Sequence, residues 1–244
     1  MPRDFDHVLR VRRHQPTRLE GFVDASFAFA VTLLVISIGH VPVSVPEMLQ
    51  ALRGVPTFAV CFALIARLWG AHRSWSRHYD IEDAATIRLS LMLVFLVLIY
   101  VYPLRLLMSI MFAGLSNGAL MEQHVVLDTV ADLRAAYAVF GIGYAAIGFV
   151  FVRLLQHALA RREAIGLDAA EIVVTRFNQL RWICVVVVAL LSVLLAAVLP
   201  FENGTPWIYS LPGCVYWLLF VSFAILRRRC TARLAAMHAT VAPA

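Results

Sequence analysis

The sequence predicts an all-α membrane protein of six transmembrane helices with both termini on the cytoplasmic side. Three observations carry that expectation. The 244 residues are 61% hydrophobic, with a mean hydropathy of +0.81, whereas soluble domains sit near half apolar. The apolar residues fall into six runs of about 20, the length that crosses a hydrocarbon core of ~30 Å at ~1.5 Å per residue. The charged residues, only 15% of the chain, collect in the short links between those runs.

Residues 1–17 are polar and basic, with Arg3, Arg10, Arg12 and Arg13, and are expected to lie along the membrane surface or to stay unstructured. The first span covers roughly 19–39, and Gly39, Pro42 and Pro46 then punctuate a turn. The second, roughly 55–77, opens at Pro56; the third follows the acidic DIEDA and runs roughly 86–108, with Pro103 near its far end. A Ser116-Asn117-Gly118 turn and an acidic stretch (Glu122, Asp128, Asp132) lead to the fourth, roughly 134–158. A polar link precedes the fifth, roughly 178–199, which Pro200 stops. After an ENGTPW turn the sixth runs roughly 207–226 and closes at Arg227, Arg228 and Arg229.

Sidedness supports the count. With six spans, one side collects 18 arginines, and the other holds only Arg53, Arg105 and Arg134 against five acids. The positive-inside rule places the arginine-rich side, with both termini, in the cytoplasm. A net charge of +6 could suit nucleic acid, but its placement in inter-helix links argues for orientation instead. All basic residues are Arg, which reads as base composition rather than mechanism. The chain divides into a basic cytoplasmic tail (1–17), a six-helix membrane domain (18–229) and a second cytoplasmic tail (230–244), with no internal repeat. The first apolar run is too long and lacks the cleavage site of a signal peptide.

The four cysteines (Cys61, Cys184, Cys214, Cys230) are scattered, which argues against structural disulfides or zinc. Walker, Rossmann, HExxH and GxSxG patterns are absent. No enzyme, cofactor, nucleic acid or protein partner other than self and lipid is expected. Gly141-Ile142-Gly143-Tyr144 resembles a carbonyl filter but sits inside a helical run. Gly141, Ala145 and Gly148 read instead as small residues that let membrane helices approach.

The first span is unusual because it keeps polar residues where a charge costs on the order of 3 kcal/mol. Arg18 and Phe22 share a face, while Asp24 lies about 240° around from Arg18 and needs a partner elsewhere. Arg18 reads either as a snorkelling anchor or as part of a polar network. Asp24 reads either as a structural acceptor or as a transport residue. At the end of the second span Trp69, His72 and Arg73 put an indole donor and a switchable imidazole at the same depth, so a cross-helix polar cluster is expected. Ala25, Phe29, Thr32 and Ile36 step by four, three and four down one stripe. The stripe is either a packing face, with the Thr32 hydroxyl bonded to its own carbonyl ladder, or a pore wall.

RLEGFVDASFAFAVTLLV resembles the first-helix signature of the lysosomal potassium channel family (transmembrane protein 175 family) in its short bacterial form: Arg, three residues, Phe-Ser-Asp, then an apolar run with an embedded Thr. Arg18, Phe22 and Asp24 match; Val23 stands in place of the Ser. Trp69 and His72 are similar to the family's Trp-x-x-His element, and Pro103 to its late proline. The resemblance covers roughly 18–105. It implies a homotetramer whose first helices surround a pore in a bacterial inner membrane. In that arrangement potassium would permeate passively, Phe29 would form a constriction, and the Thr32 hydroxyl would make a transient contact with K+. Ala25, Phe29, Thr32 and Ile36 then line the pore, and Arg18, Phe22, Asp24, Trp69 and His72 brace its cytoplasmic end. Two rivals remain: a proton-coupled secondary transporter relaying through Asp24 and His72, against which the missing inverted repeat and the expected lack of broken helices count, and a non-conducting structural homologue.

Overall fold

The structure, a computed structural model, describes residues 5, 7–37, 43–120, 129–201 and 206–241. Arg3, Gly39, Pro42, Glu122, Asp128 and most of the ENGTPW turn lie outside them. Among the described residues six helical stretches are long and apolar enough to cross a membrane, which makes this a multi-pass membrane protein.

Helix α1 (Arg18–Ile36) begins where a capping box predicts it: Thr17 Oγ1 accepts from the Glu20 N–H, and Glu20 accepts from the Thr17 N–H. The expected turn after it contains a short helix, α2 (Val45–Ala51), capped by Ser44. Ser44-x-x-Glu47 with Pro46 in the first turn is the start signal that the turn reading overlooked. A 3₁₀ turn (Leu52–Gly54) joins it to α3 (Val55–Tyr79), which ends on Asp80 in the left-handed region at φ 50°. Helix α4 (Ala84–Leu115) runs past the expected end near 108 and continues through Pro103, as buried membrane helices tolerate. Helices α5 (Val130–Ala160) and α6 (Ala169–Val198) follow.

The sixth span is broken. Helix α7 (Pro206–Cys214) holds Pro212, a 3₁₀ turn (Val215–Trp217) follows, and α8 runs Leu218–Val241. The Ser192 hydroxyl of α6 donates to the Pro212 carbonyl at 2.7 Å in a buried position. Helix α8 also continues through Arg227, Arg228 and Arg229, so the boundary expected at 229–230 falls inside a helix.

Helices α1, α3 and α4 pack on one another, and α6 packs on α5 and α8, with α4 against α5 joining the two groups. The α5–α6 contact is the most extensive, and its glycines explain why. A Cβ on Gly141 would lie 2.5 Å from Val193 Cγ2 and 3.0 Å from the Ala189 carbonyl. A Cβ on Gly148 would lie 3.0 Å from Val186 Cγ2. Residues 141–144 are continuous helix.

The N-terminal tail departs most from expectation: it is docked on the basic end of the bundle. Phe5 and Leu9 are buried against Val174, Phe177, Cys230 and Leu234. The Arg12 and Arg13 N–H groups both donate to the Arg77 carbonyl. Arg12 pairs with the fully buried Glu171 at 2.7 Å, Arg10 with Asp168, and Arg13 with Asp80 and Glu82. Carboxylates contributed by the α3–α4 link and the start of α6 thus give the tail arginines an alternative to the bilayer surface.

Candidate functional site: the open face and foot of the first helix

Helix α1 has two unlike faces. Val23, Phe27, Ala30 and Leu34, spaced four, three and four, are buried against α3 and α4. Nearly opposite, Ala25, Phe29, Thr32 and Ile36 are exposed, Phe29 at 53% and Ile36 at 63%. Phe22, Asp24 and Arg18 are exposed as well. The stripe singled out in the sequence is therefore outside the subunit core. Val23, which replaces the serine of the first-helix signature, points the other way and is fully buried. It fills a packing position and takes no hydroxyl from the open face.

Hydroxyls on this helix bond along it. Thr32 Oγ1 donates to the Ala28 carbonyl at 3.1 Å and Ser26 Oγ to Phe22 at 2.8 Å. Such a hydroxyl has spent its only proton, so what Thr32 presents outward is its lone pairs. An oxygen in that state suits a cation.

The foot of the helix is tied by fewer residues than expected. The Trp69 indole N–H donates to Asp24 Oδ1 at 2.7 Å, and the Arg73 guanidinium stands 5.2 Å over the Trp69 ring. His72 does not join them: its Nε2 lies 3.0 Å from Ser90 Oγ of α4, in the core. Residues three apart differ by about 60° around a helix, and α3 lies against both α1 and α4, so Trp69 reaches one neighbour and His72 the other. Arg18 makes no hydrogen bond or ion pair among the described residues. Asp24 and His72 share no direct hydrogen bond.

Three residues were missed. Ser90, the partner of His72, gave no signal in an apolar run. Glu20, 8% exposed, was legible as the fourth position of the capping box. At the other end of α1, Ser37 accepts a 2.7 Å hydrogen bond from the Arg105 guanidinium of α4. Both ends of the helix are held, and one face between them is open.

Comparison with known proteins bears on what that face is for. The family model for the endosomal/lysosomal potassium channel TMEM175 matches residues 18–103, from the first turn of α1 to Pro103 in α4. A potassium channel from Marivirga tractuosa is 31% identical over 227 residues, covering 91% of this chain and 90% of its own. The chain belongs to the TMEM175 family. The crystal structure of the potassium channel MtTMEM175, a threonine-to-alanine variant in complex with a nanobody–MBP fusion, matches with a TM-score of 0.77 at 30% identity. That match covers 92% of this chain and 97% of its own. The TMEM175 likeness thus extends through all six spans, well beyond the 18–105 stretch that carried it in the sequence. These relatives are potassium channels, which are not enzymes.

Proposed function

We propose that four copies of this chain assemble around a shared axis as a passive, potassium-permeable channel, with the open face of α1 turned inward. The observation that carries the reading is the pairing of a fully packed face with an exposed one on the same helix. Ala25, Phe29, Thr32 and Ile36 lie on the exposed face. Its relatives' names supply the ion. Four Phe29 rings would form an apolar constriction that gates by dewetting, and four Thr32 oxygens would replace part of a K+ hydration shell. Asp24, held by Trp69, and the exposed Arg18 would stand at the cytoplasmic mouth, with Phe22 beside them. His72 would brace α3 against α4 from within the core. The arginine-rich ends support a reading with both termini in the cytoplasm, and the membrane would be a bacterial inner membrane. No resident cofactor enters this mechanism.

Bilayer recording of the purified protein tests it. Phe29→Ala is expected to raise conductance, and Thr32→Val to lower the preference for potassium over sodium. Unchanged behaviour in both variants would remove α1 from the conduction path. Light scattering in detergent should give the mass of four chains; a monomer has no axis on which to build a pore.

A further inference from the structure

Between the basic ends of α6 and α8 lies a groove of about 100 Å³. Its walls are Phe177 and Leu180 of α6 and Leu226 of α8, and its rim is Arg176, Arg229 and Arg233. These three arginines differ from those of the tail. Arg10, Arg12 and Arg13 each pair with a carboxylate, whereas Arg176, Arg229 and Arg233 pair with none among the described residues. They therefore form a positive cluster with no paired carboxylate among the described residues.

The groove is also polarised along the membrane normal. Arg176 precedes Leu180 by one turn on a helix leaving the basic side. Leu226 precedes Arg229 and Arg233 on a helix returning to it. Both helices thus put guanidinium outward and leucine inward. Arg233 and Leu226 are separated by about 10 Å along the axis, comparable with the roughly 5–8 Å of one interfacial layer. The wall is preformed as well: Phe177 is held edge-on by Phe5 of the docked tail at 5.2 Å, with Arg181 over its ring at 5.5 Å.

We infer that this groove binds an anionic phospholipid of the cytoplasmic leaflet. Its head-group phosphate sits among Arg176, Arg229 and Arg233, and an acyl chain lies along Phe177, Leu180 and Leu226. A guanidinium cluster without carboxylates recognises phosphate by charge-assisted hydrogen bonds, and basic pockets between membrane helices take such head groups. The leaflet assignment rests on the orientation proposed above.

Native mass spectrometry of the full-length protein with added dioleoylphosphatidylglycerol tests the site, with dioleoylphosphatidylcholine and inorganic phosphate as separate arms. The phosphatidylglycerol adduct should persist where the phosphatidylcholine adduct does not. Each arginine near an anionic head group contributes about fivefold in affinity. The combined Arg176→Gln, Arg229→Gln, Arg233→Gln variant should therefore bind about a hundredfold more weakly. The single substitutions form a graded series that reads the same effect if the triple variant does not fold. Arg153→Gln, on the exposed side of α5, should bind as the unaltered protein does. Equal retention of the two lipids, equal binding by the substituted proteins, or inorganic phosphate binding as tightly as phosphatidylglycerol would each overturn the assignment. The measurement needs no ion gradient. Loss of flux with the adduct intact would therefore count against the channel alone, and loss of the adduct with flux intact against the lipid site alone.

Discussion

Replacing Arg12 with alanine removes the residue that fastens the N-terminal tail to the bundle. Its guanidinium donates to both Glu171 oxygens, at 2.8 and 2.7 Å, and to the carbonyls of His78, Ile165 and Gly166 at 3.0, 3.0 and 3.1 Å. Carboxylate and cation reinforce each other, and the pairing holds the Arg12 guanidinium above its ordinary range. Glu171 is fully buried, and stranding one member of a buried ion pair costs ~3–5 kcal/mol. The Arg10 and Asp168 N–H groups still donate to Glu171, at 2.9 and 3.0 Å. That places the loss near the lower end, about 3 kcal/mol. In thermal unfolding of the detergent-solubilised protein this corresponds to a fall of roughly 6–12 °C. Replacing both partners by methionine leaves no orphaned charge and should cost less than the single change. A shift below about 2 °C for Arg12→Ala, or a double variant as damaged as the single one, would refute the reasoning.

Trp69→Phe keeps the ring under Arg73 but deletes the donor to Asp24. It should lower stability by about 1–2 kcal/mol, seen in denaturation, and Asp24→Asn should do less. Gly141→Ala forces a methyl group against the Ala189 carbonyl and Val193. It should cost ~1–3 kcal/mol by prising α5 from α6, and a neutral result would mean that the helices separate without strain. Asp83 supplies a pH test: burial raises its pKa, but the Thr86 N–H and His157 outweigh that and bring it down to about 2. A depressed carboxylate contributes stability that is full above its ordinary value of 3.8 and is lost as pH falls toward about 2. The unaltered protein should therefore lose melting temperature over that window more steeply than Asp83→Asn, and parallel curves would sink the assignment.

The six spans were legible because a membrane helix must bury about 20 apolar residues in sequence, a local requirement. The start of α1 was legible for the same reason, since Thr17 and Glu20 are three residues apart. What the sequence could not reveal depends on distance along the chain. Arg12 and Glu171 are separated by 159 residues, and no local pattern distinguishes an arginine that docks from one that floats. Trp69 and His72 looked like one cluster because the spacing is right, but spacing does not say that two neighbours divide the face between them. The Ala25–Ile36 stripe was visible as a periodicity. Whether it faced packing or open space depended on how α3 and α4 cover α1.

The last span changes its winding part-way along. Pro212 withholds an N–H from the ladder, the 3₁₀ turn winds Val215–Trp217 more tightly, and the Ser192 hydroxyl ties the Pro212 carbonyl to α6. Substitutions on α8 beyond the turn are therefore expected to leave the Ser192–Pro212 tie in place.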